Sequence, residues 1–325
     1  YPFQLALLPL IGAIAAGNTV VLKPSELTPF TSKLIENIIK SVFQKEYVSV
    51  VQGDAKVAKD LLAKKWDYIF FTGSVHVGKI VAKAAAEFLT PTTLELGGKN
   101  HCIIDETANI NLSAKRIVWG KFLNAGQTCI ATDYILIHQS VKNQFIEALR
   151  KEIDLAYYNN PSESKDFARI INTQNFGRLS KMIKNEKAII GGDFNETKLY
   201  ISPTVIDEPS LESDLMKGEI FGPILPILSY SNLDDIDKII TKYDKPLSLY
   251  VFSNKRSFSK KIINTYSFGG GAINDTVIHF ANRKLPFGGV GSSGMGSYHG
   301  KYTFYTFSHK KSVVKKGNWL DLPIR

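Results

Sequence analysis

Two residues in one short span have side chains suited to covalent chemistry. Glu95 closes the apolar run in PTTLELGGKN, and Cys129 stands 34 residues later in KFLNAGQTCI, directly after Gly-Gln-Thr. A carboxylate can take a proton from water, and a thiolate is both a strong nucleophile and a good leaving group. Together they are the minimum equipment for making and clearing a thioester. The other cysteine, Cys102, sits in the apolar run HCII and reads as a small core residue of a strand. Two cysteines build no disulfide framework, so a reducing compartment is expected.

The remaining composition is that of a soluble enzyme-sized protein. With 325 residues, 44% hydrophobic and 22% charged, the chain can bury the cores of two domains and is not disordered. The net charge of +10 invites a nucleic-acid or acidic-membrane partner. Its lysines are scattered over amphipathic segments, however, and the one dense cluster, KKSVVKK at 310–316, has no aromatic RNA-binding motif or zinc-finger spacing beside it. No nucleic-acid partner is expected. The longest apolar stretch, Leu5 to Ala16, is interrupted by Pro9 and Gly12 and is too short to span a bilayer.

The elements that must position Glu95 and Cys129 follow from periodicity. Helical patterns over 3–16, 31–42, 55–64 and 77–88 alternate with apolar runs at 19–22, 47–51, 67–71 and 92–96. That alternation predicts an α/β chain with a doubly wound parallel sheet, whose ligands gather at the carboxyl ends of the strands. Two polar signatures fall at such ends. Lys23-Pro24-Ser25-Glu26 offers a cation and a carboxylate able to bond ribose hydroxyls, or a solvated turn. Gly73-Ser74-Val75-His76-Val77-Gly78 offers a glycine turn into a helix N-terminus that suits an anion, or an ordinary capped turn. Beyond Gly97-Gly98 the pattern restarts: strands at 101–104, 134–138, 188–190 and 247–252, and helices at 111–122, 141–158, 176–185, 233–243 and 258–266. A hairpin-like pair at 199–205 and 224–228 flanks Glu219-Ile220-Phe221-Gly222-Pro223, and 159–166 reads as a surface loop. The expected division is a cofactor domain at 1–96, a second α/β catalytic domain at 97–285 and a C-terminal segment at 286–325.

Taken in order, AAGNTVVLKPSE, FTGSVHVGK, TLELGGKN, GQTC, EIFGPILP and LPFGGVGSSGMG resemble the aldehyde dehydrogenase superfamily, and GMGSYHGKYTFYTFSH resembles its class 3, fatty aldehyde dehydrogenase-like branch. The resemblance covers essentially the whole chain. It implies an NAD-dependent oxidation of an aldehyde to a carboxylic acid, with NADP as the alternative cofactor. Cys129 is implied as the nucleophile that forms a thiohemiacetal and then a thioester, and Glu95 as the base that activates water. Gly73, Ser74 and Gly78 are implied at the pyrophosphate, Lys23 and Glu26 at the adenosine ribose, and Glu219 and Phe221 at the nicotinamide ribose and ring. Asn274 and Phe287 fall in segments that line the substrate side, without a catalytic role, and no metal is implied. The implied substrate is a medium- or long-chain aliphatic or an aromatic aldehyde, and the implied assembly is a homodimer in the cytoplasm or on the cytosolic face of an intracellular membrane.

Three departures accompany the resemblance. The family carries an oxyanion-binding Asn just before the Tyr-Pro with which this chain begins, and the start without Met suggests an N-terminally incomplete enzyme. The end at Leu322-Pro323-Ile324-Arg325 also looks cut, where some class 3 relatives continue into a hydrophobic membrane anchor. Gly218 stands where an acidic residue commonly precedes Glu219. The competing expectation is a non-catalytic nucleotide-binding or structural remnant of the same fold.

Overall fold

The computed structural model of the chain describes residues 1–158 and 160–319. The first half alternates α1 (Pro2–Ala15), β1 (Val20–Leu22), α2 (Pro29–Val42), β2 (Val48–Val50), α3 (Ala55–Leu62), β3 (Ile69–Thr72), α4 (Val75–Glu87) and β4 (Thr92–Glu95). Local chemistry sets the helix starts. Pro29 opens α2, the Asp54 carboxylate accepts the Lys56 N–H at 2.9 Å ahead of α3, and Ser74 Oγ accepts the Val77 N–H at 3.3 Å ahead of α4. All four predicted strands are present and their pairings are parallel. They divide into two ladders, β1–β2 and β3–β4, and among the described residues neither β1 nor β2 pairs with β3, where the sequence suggested one parallel sheet.

The second half contains β5 (His101–Ile104), α5 (Ile110–Phe122), β6 (Tyr134–His138), α6 (Lys142–Ala156), α7 (Thr173–Lys184), β7 (Ala188–Ile190), the short β8 (Phe194–Asn195) and β9 (Tyr200–Ile201), and β10 (Thr204–Asp207). It continues through α8 (Asp214–Lys217), β11 (Ile224–Tyr230), α9 (Leu233–Ile240), β12 (Ser248–Phe252), α10 (Arg256–Thr265) and β13 (Gly270–Ile273). These form a seven-stranded sheet in the order β13-β12-β5-β6-β11-β10-β7, parallel except for β7 against β10. Strands β5 and β12 are buried along their whole length and β6 and β11 almost so, which is why they read as apolar runs without alternation. Their core includes Ile103, Ile135, Leu136, Phe145, Leu225 and Val251.

The hairpin expected over 199–205 and 224–228 is not formed. β10 and β11 pair in parallel, with Thr204 opposite Ile224, because α8 and the 218–223 loop carry the chain back to the same end of the sheet. After β13 the chain returns to the first half. β14 (Gly294–Met295) pairs antiparallel with β4, placing Gly294 opposite Glu95, and the Asn18 amide donates to the Phe307 carbonyl beyond α11 (Lys301–Thr306) at 3.0 Å. Of the loop expected at 159–166, Asn159 lies outside the described residues and the remainder consists mainly of turns. The apparent cut at 322–325 also lies outside them.

Candidate active site

The chain leaves the carboxyl end of β4 at Glu95 and enters the amino end of β5 at His101, with only Leu96 to Asn100 between them. This short link places the carboxyl end of β4 close to the amino end of β5. The segments before β5, β6 and β11 all belong to the amino ends of parallel strands in the second sheet, and they carry Lys99, Cys129 and Glu219 respectively. The carboxyl-end rule therefore describes Glu95 and the Gly73 turn but is reversed for the second half.

Glu95 is 3% exposed, and neither carboxylate oxygen has a hydrogen-bond partner among the described residues. Burial alone pushes its pKa up to about 9. Leaving a buried carboxyl without a partner costs stability.

Cys129 follows a sharp break. Helix α5 stops at Phe122, and Asn124, Ala125 and Gly126 then take positive φ values of 53°, 51° and 72°. A side chain at position 126 would stand 2.2 Å from the Gly222 carbonyl, so glycine is required where the Cys129 turn meets the Glu219 loop. Gln127 staples the turn to the chain at 169–171: its amide donates to the Asn124 and Arg169 carbonyls at 3.0 Å, and its Oε1 accepts the Ile171 N–H at 2.9 Å. The next three carbonyls are held from the sheet. The Asn100 amide donates to those of Cys129 (2.7 Å) and Ala131 (2.9 Å), and the Tyr250 hydroxyl donates to that of Ile130 (2.7 Å).

The thiol of Cys129 is pushed up to about 12, first by burial and then by the carboxylates of Glu219 and Glu95, while the N–H groups of Cys129 and Ile130 favour the thiolate. Around it stand Ile130, Leu247, Val277, Phe287 and Tyr298, with Leu8, Phe70 and Phe280 packed against them. Phe287 belongs to this apolar wall. Asn274 exchanges amide hydrogen bonds with the Ser253 backbone at 2.8 and 3.0 Å.

Three consequences can be measured. Alkylation of Cys129 by iodoacetamide should rise about tenfold per pH unit from pH 7 to 10 without levelling off, since the thiolate fraction is still small there. Glu219→Gln should accelerate it at pH 9, because the lost negative charge opposed the thiolate. Asn100→Ala should destabilise the fold by about 2–3 kcal/mol, leaving two buried carbonyls and the Ser248 N–H that now bonds Asn100 Oδ1 unpaired. Thermal unfolding measures the loss, and a fall in turnover larger than the fall in folded fraction marks the displaced nucleophile.

The other predicted residues occupy two places. Glu219 lies at the seam: its carboxyl accepts the Gly98 N–H, and a Cβ on Gly97 would come within 2.4 Å of Oε2. Burial, then repulsion from Asp133, moves its pKa up to about 8. Phe221 follows with a φ of 48° and is 39% exposed. Away from the nucleophile, Lys23 bonds Glu26 at 3.0 Å beyond the end of β1. Burial opposes ionisation of Glu26, but its own backbone N–H and Lys23 outweigh it, so its pKa lies below the usual value. Ser74 caps α4. Gly73 is forced small by the Phe71 ring, 2.4 Å from a built Cβ, and Gly78 by Leu96, 2.6 Å away, so Gly78 serves the packing of α4 on the end of β4.

Sequence reasoning missed Asn100 and Tyr250 as supports of the Cys129 turn, and Lys99 and Asp133 as supports of the Glu219 loop. Lys99 and Asn100 lie inside the LELGGKN motif, and that adjacency was the available signal. Asp133 and Tyr250 carry none, because their partners are distant in sequence.

The model of the aldehyde dehydrogenase family matches residues 1–313. The 4,4'-diaponeurosporen-aldehyde dehydrogenase of Staphylococcus aureus is 51% identical over 99% of this chain and 70% of its own length. The mouse aldehyde dehydrogenase described as dimeric and NADP-preferring is 46% identical over 97% of this chain and 69% of its own. Among solved structures, the substrate-bound S. aureus AldH superposes with a TM-score of 0.97 at 51% identity, covering 99% of this chain and 71% of that one. The NAD+ complex of Mycobacterium tuberculosis aldehyde dehydrogenase gives 0.87 at 27% identity, covering 98% and 68%. The chain spans 65% of the length of one curated relative and 70% of another. On this agreement of family model, sequence and fold, the chain belongs to the aldehyde dehydrogenase family.

Proposed function

We propose that the protein oxidises an aldehyde to a carboxylic acid through a covalent adduct on Cys129, with NAD as cofactor and NADP as the alternative. The observation that carries this reading is the buried, unpartnered Glu95 within electrostatic reach of a half-buried thiol inside an apolar wall. A non-catalytic remnant has no use for a carboxylate kept at such cost. The NAD+ complex and the NADP-preferring enzyme among the similar proteins support the cofactor. The glycine turn and first-turn N–H groups of α4 fit a pyrophosphate, and Lys23 with Glu26 fits a ribose diol. Glu219 lies against the Gly97 backbone, in space a side chain would fill, and fits the second ribose.

In the proposed mechanism Cys129 loses its thiol proton to solvent and attacks the aldehyde carbon as the thiolate. The Cys129 and Ile130 N–H groups, which already favour negative charge at sulfur, stand beside the oxyanion of the thiohemiacetal. NAD, held by the α4 turn and Glu219, would supply the hydride acceptor for oxidation of this adduct to a thioester. The ionised fraction of Glu95 then takes a proton from water, hydroxide adds to the thioester carbon, the Cys129 thiolate leaves as the acid departs, and Glu95 returns its proton to solvent. Leu8, Val277, Phe280 and Phe287 favour a medium- or long-chain aliphatic or an aromatic aldehyde. The expected division of labour puts the cofactor on 1–96 and the nucleophile on 97–285, with 286–325 returning to the cofactor domain.

The mouse relative's description as dimeric supports a homodimer. Among the described residues no helix is long and apolar enough to cross a membrane, and we place the protein in the cytoplasm or at the cytosolic face of a membrane. Hexanal or benzaldehyde with NAD should produce NADH one for one with the acid, and continued production by Cys129→Ala would refute the mechanism.

A further inference from the structure

We infer that Lys99 and Asp133 act as positioning residues for Glu219. This inference rests on the proposed role of Glu219 in holding the nicotinamide ribose. Lys99 is 5% and Asp133 3% exposed, and their charged groups meet at 2.6 Å. The two ends of this one ion pair grip the backbone on either side of Glu219. Lys99 Nζ donates to the Gly218 carbonyl at 3.0 Å and also to that of Leu215, while Asp133 Oδ1 accepts the Ile220 N–H at 2.9 Å. Arg178 adds a third hold, donating to the Ile220 carbonyl at 2.8 Å.

The same few residues also fix the side chain. Gly97 provides the space against which the Glu219 carboxyl lies, Gly98 N–H donates to it, and Lys99 follows directly. A single stretch of backbone, Gly97 to Lys99, therefore sets both the main-chain position and the carboxyl orientation of Glu219, from more than a hundred residues away in sequence.

Stability alone is a poor explanation for this arrangement. A buried ion pair often contributes no more than a well-packed neutral pair of similar volume. What the pair supplies is direction: an ammonium bonding two carbonyls and a carboxylate bonding one N–H leave the loop little freedom to rotate. Holding a ligand-facing group in advance reduces the ordering cost at binding.

The test replaces the pair by a neutral one, Lys99→Met with Asp133→Asn, which keeps an acceptor for the Ile220 N–H but removes the hold on Gly218 and Leu215. Three readouts are taken: NAD affinity by calorimetry, thermal unfolding, and hydrolysis of p-nitrophenyl acetate, which needs the Cys129 nucleophile but no cofactor. NAD affinity should fall tenfold or more while ester hydrolysis stays within threefold. The same double change made on Glu219→Gln should cause no further loss of NAD affinity. An unchanged NAD affinity in the neutral-pair variant overturns the inference, and so does an equal loss on the Glu219→Gln background, since the pair would then act elsewhere. If Glu219→Gln itself leaves NAD affinity unchanged, the ribose role of Glu219 fails and this inference with it. Should the neutral pair not fold, Lys99→Arg keeps the charge but changes the donor geometry; a threefold or larger loss of NAD affinity supports the inference, and no loss overturns it.

Discussion

Cys129→Ala is expected to lower aldehyde oxidation by about 10⁴-fold or more, roughly 5.5 kcal/mol of transition-state stabilisation, because no other group can form the covalent adduct. The fold should survive. The turn around Cys129 is fixed by Gln127, Asn100 and Tyr250 through backbone carbonyls, not through sulfur, so deletion of the thiol should cost only about 1 kcal/mol. NAD affinity should also persist, since the residues proposed to hold NAD lie on other segments. Ester hydrolysis must disappear together with aldehyde oxidation, because both begin with the same attack.

Cys102 provides the control. It is fully buried in β5, burial raises its thiol far above the usual range, and it should resist iodoacetamide in the folded enzyme. Cys102→Ala should keep turnover within about twofold while costing roughly 1–2 kcal/mol for the small cavity it leaves in a close-packed sheet. Loss of a single alkylation site in Cys129→Ala, with none lost in Cys102→Ala, identifies the reactive thiol independently of turnover.

Much of the architecture was legible because burial leaves a simple signature. Strands covered on both faces, such as Cys102 to Ile104 and Leu249 to Phe252, are written as unbroken apolar runs. Helices such as α2 and α7 carry their apolar residues on one face. The pairing partners were less legible. The segments at 199–205 and 224–228 resemble a hairpin until it is seen that α8 reverses the chain between them, and a parallel crossover leaves no mark at either strand. β13 escaped notice because Gly270 and Gly271 dilute its apolar character. At the site, chemical type identified Glu95 and Cys129, and the glycines pointed to tight turns. Sequence could not show that Asn100 reaches Ser248, or that Lys99 reaches Gly218, because such ties depend on which strand ends the fold brings together. Nor could it show that Cys129 and Glu95 come from opposite ends of strands in two sheets. That arrangement follows from the short link across 96–100, which gives the second sheet its active end at the strand starts.

Glu95→Gln should separate chemistry from stability, moving them in opposite directions. As the proposed base, Glu95 is needed most when water attacks the thioester. The variant should therefore release about one NADH per Cys129 in a fast first turnover and then stall, with steady-state turnover lower by about 10²–10⁴-fold. The folded carboxyl has a pKa of about 9, above its ordinary value of 4.5, so between those values the folded state holds a proton that the unfolded state has released. Wild-type stability is thus undiminished by this group below pH 4.5 and falls as pH rises toward 9. Glutamine does not titrate and escapes that loss. Relative to wild type, the variant should gain about 2–4 kcal/mol between pH 5 and pH 8. Neither carboxylate oxygen has a partner to lose, so the substitution breaks no hydrogen bond that would mask the gain. Urea unfolding of both proteins at the two pH values measures the difference. A gain that does not grow with pH would mean that Glu95 is ionised in the folded protein and not the buried, proton-holding base described here.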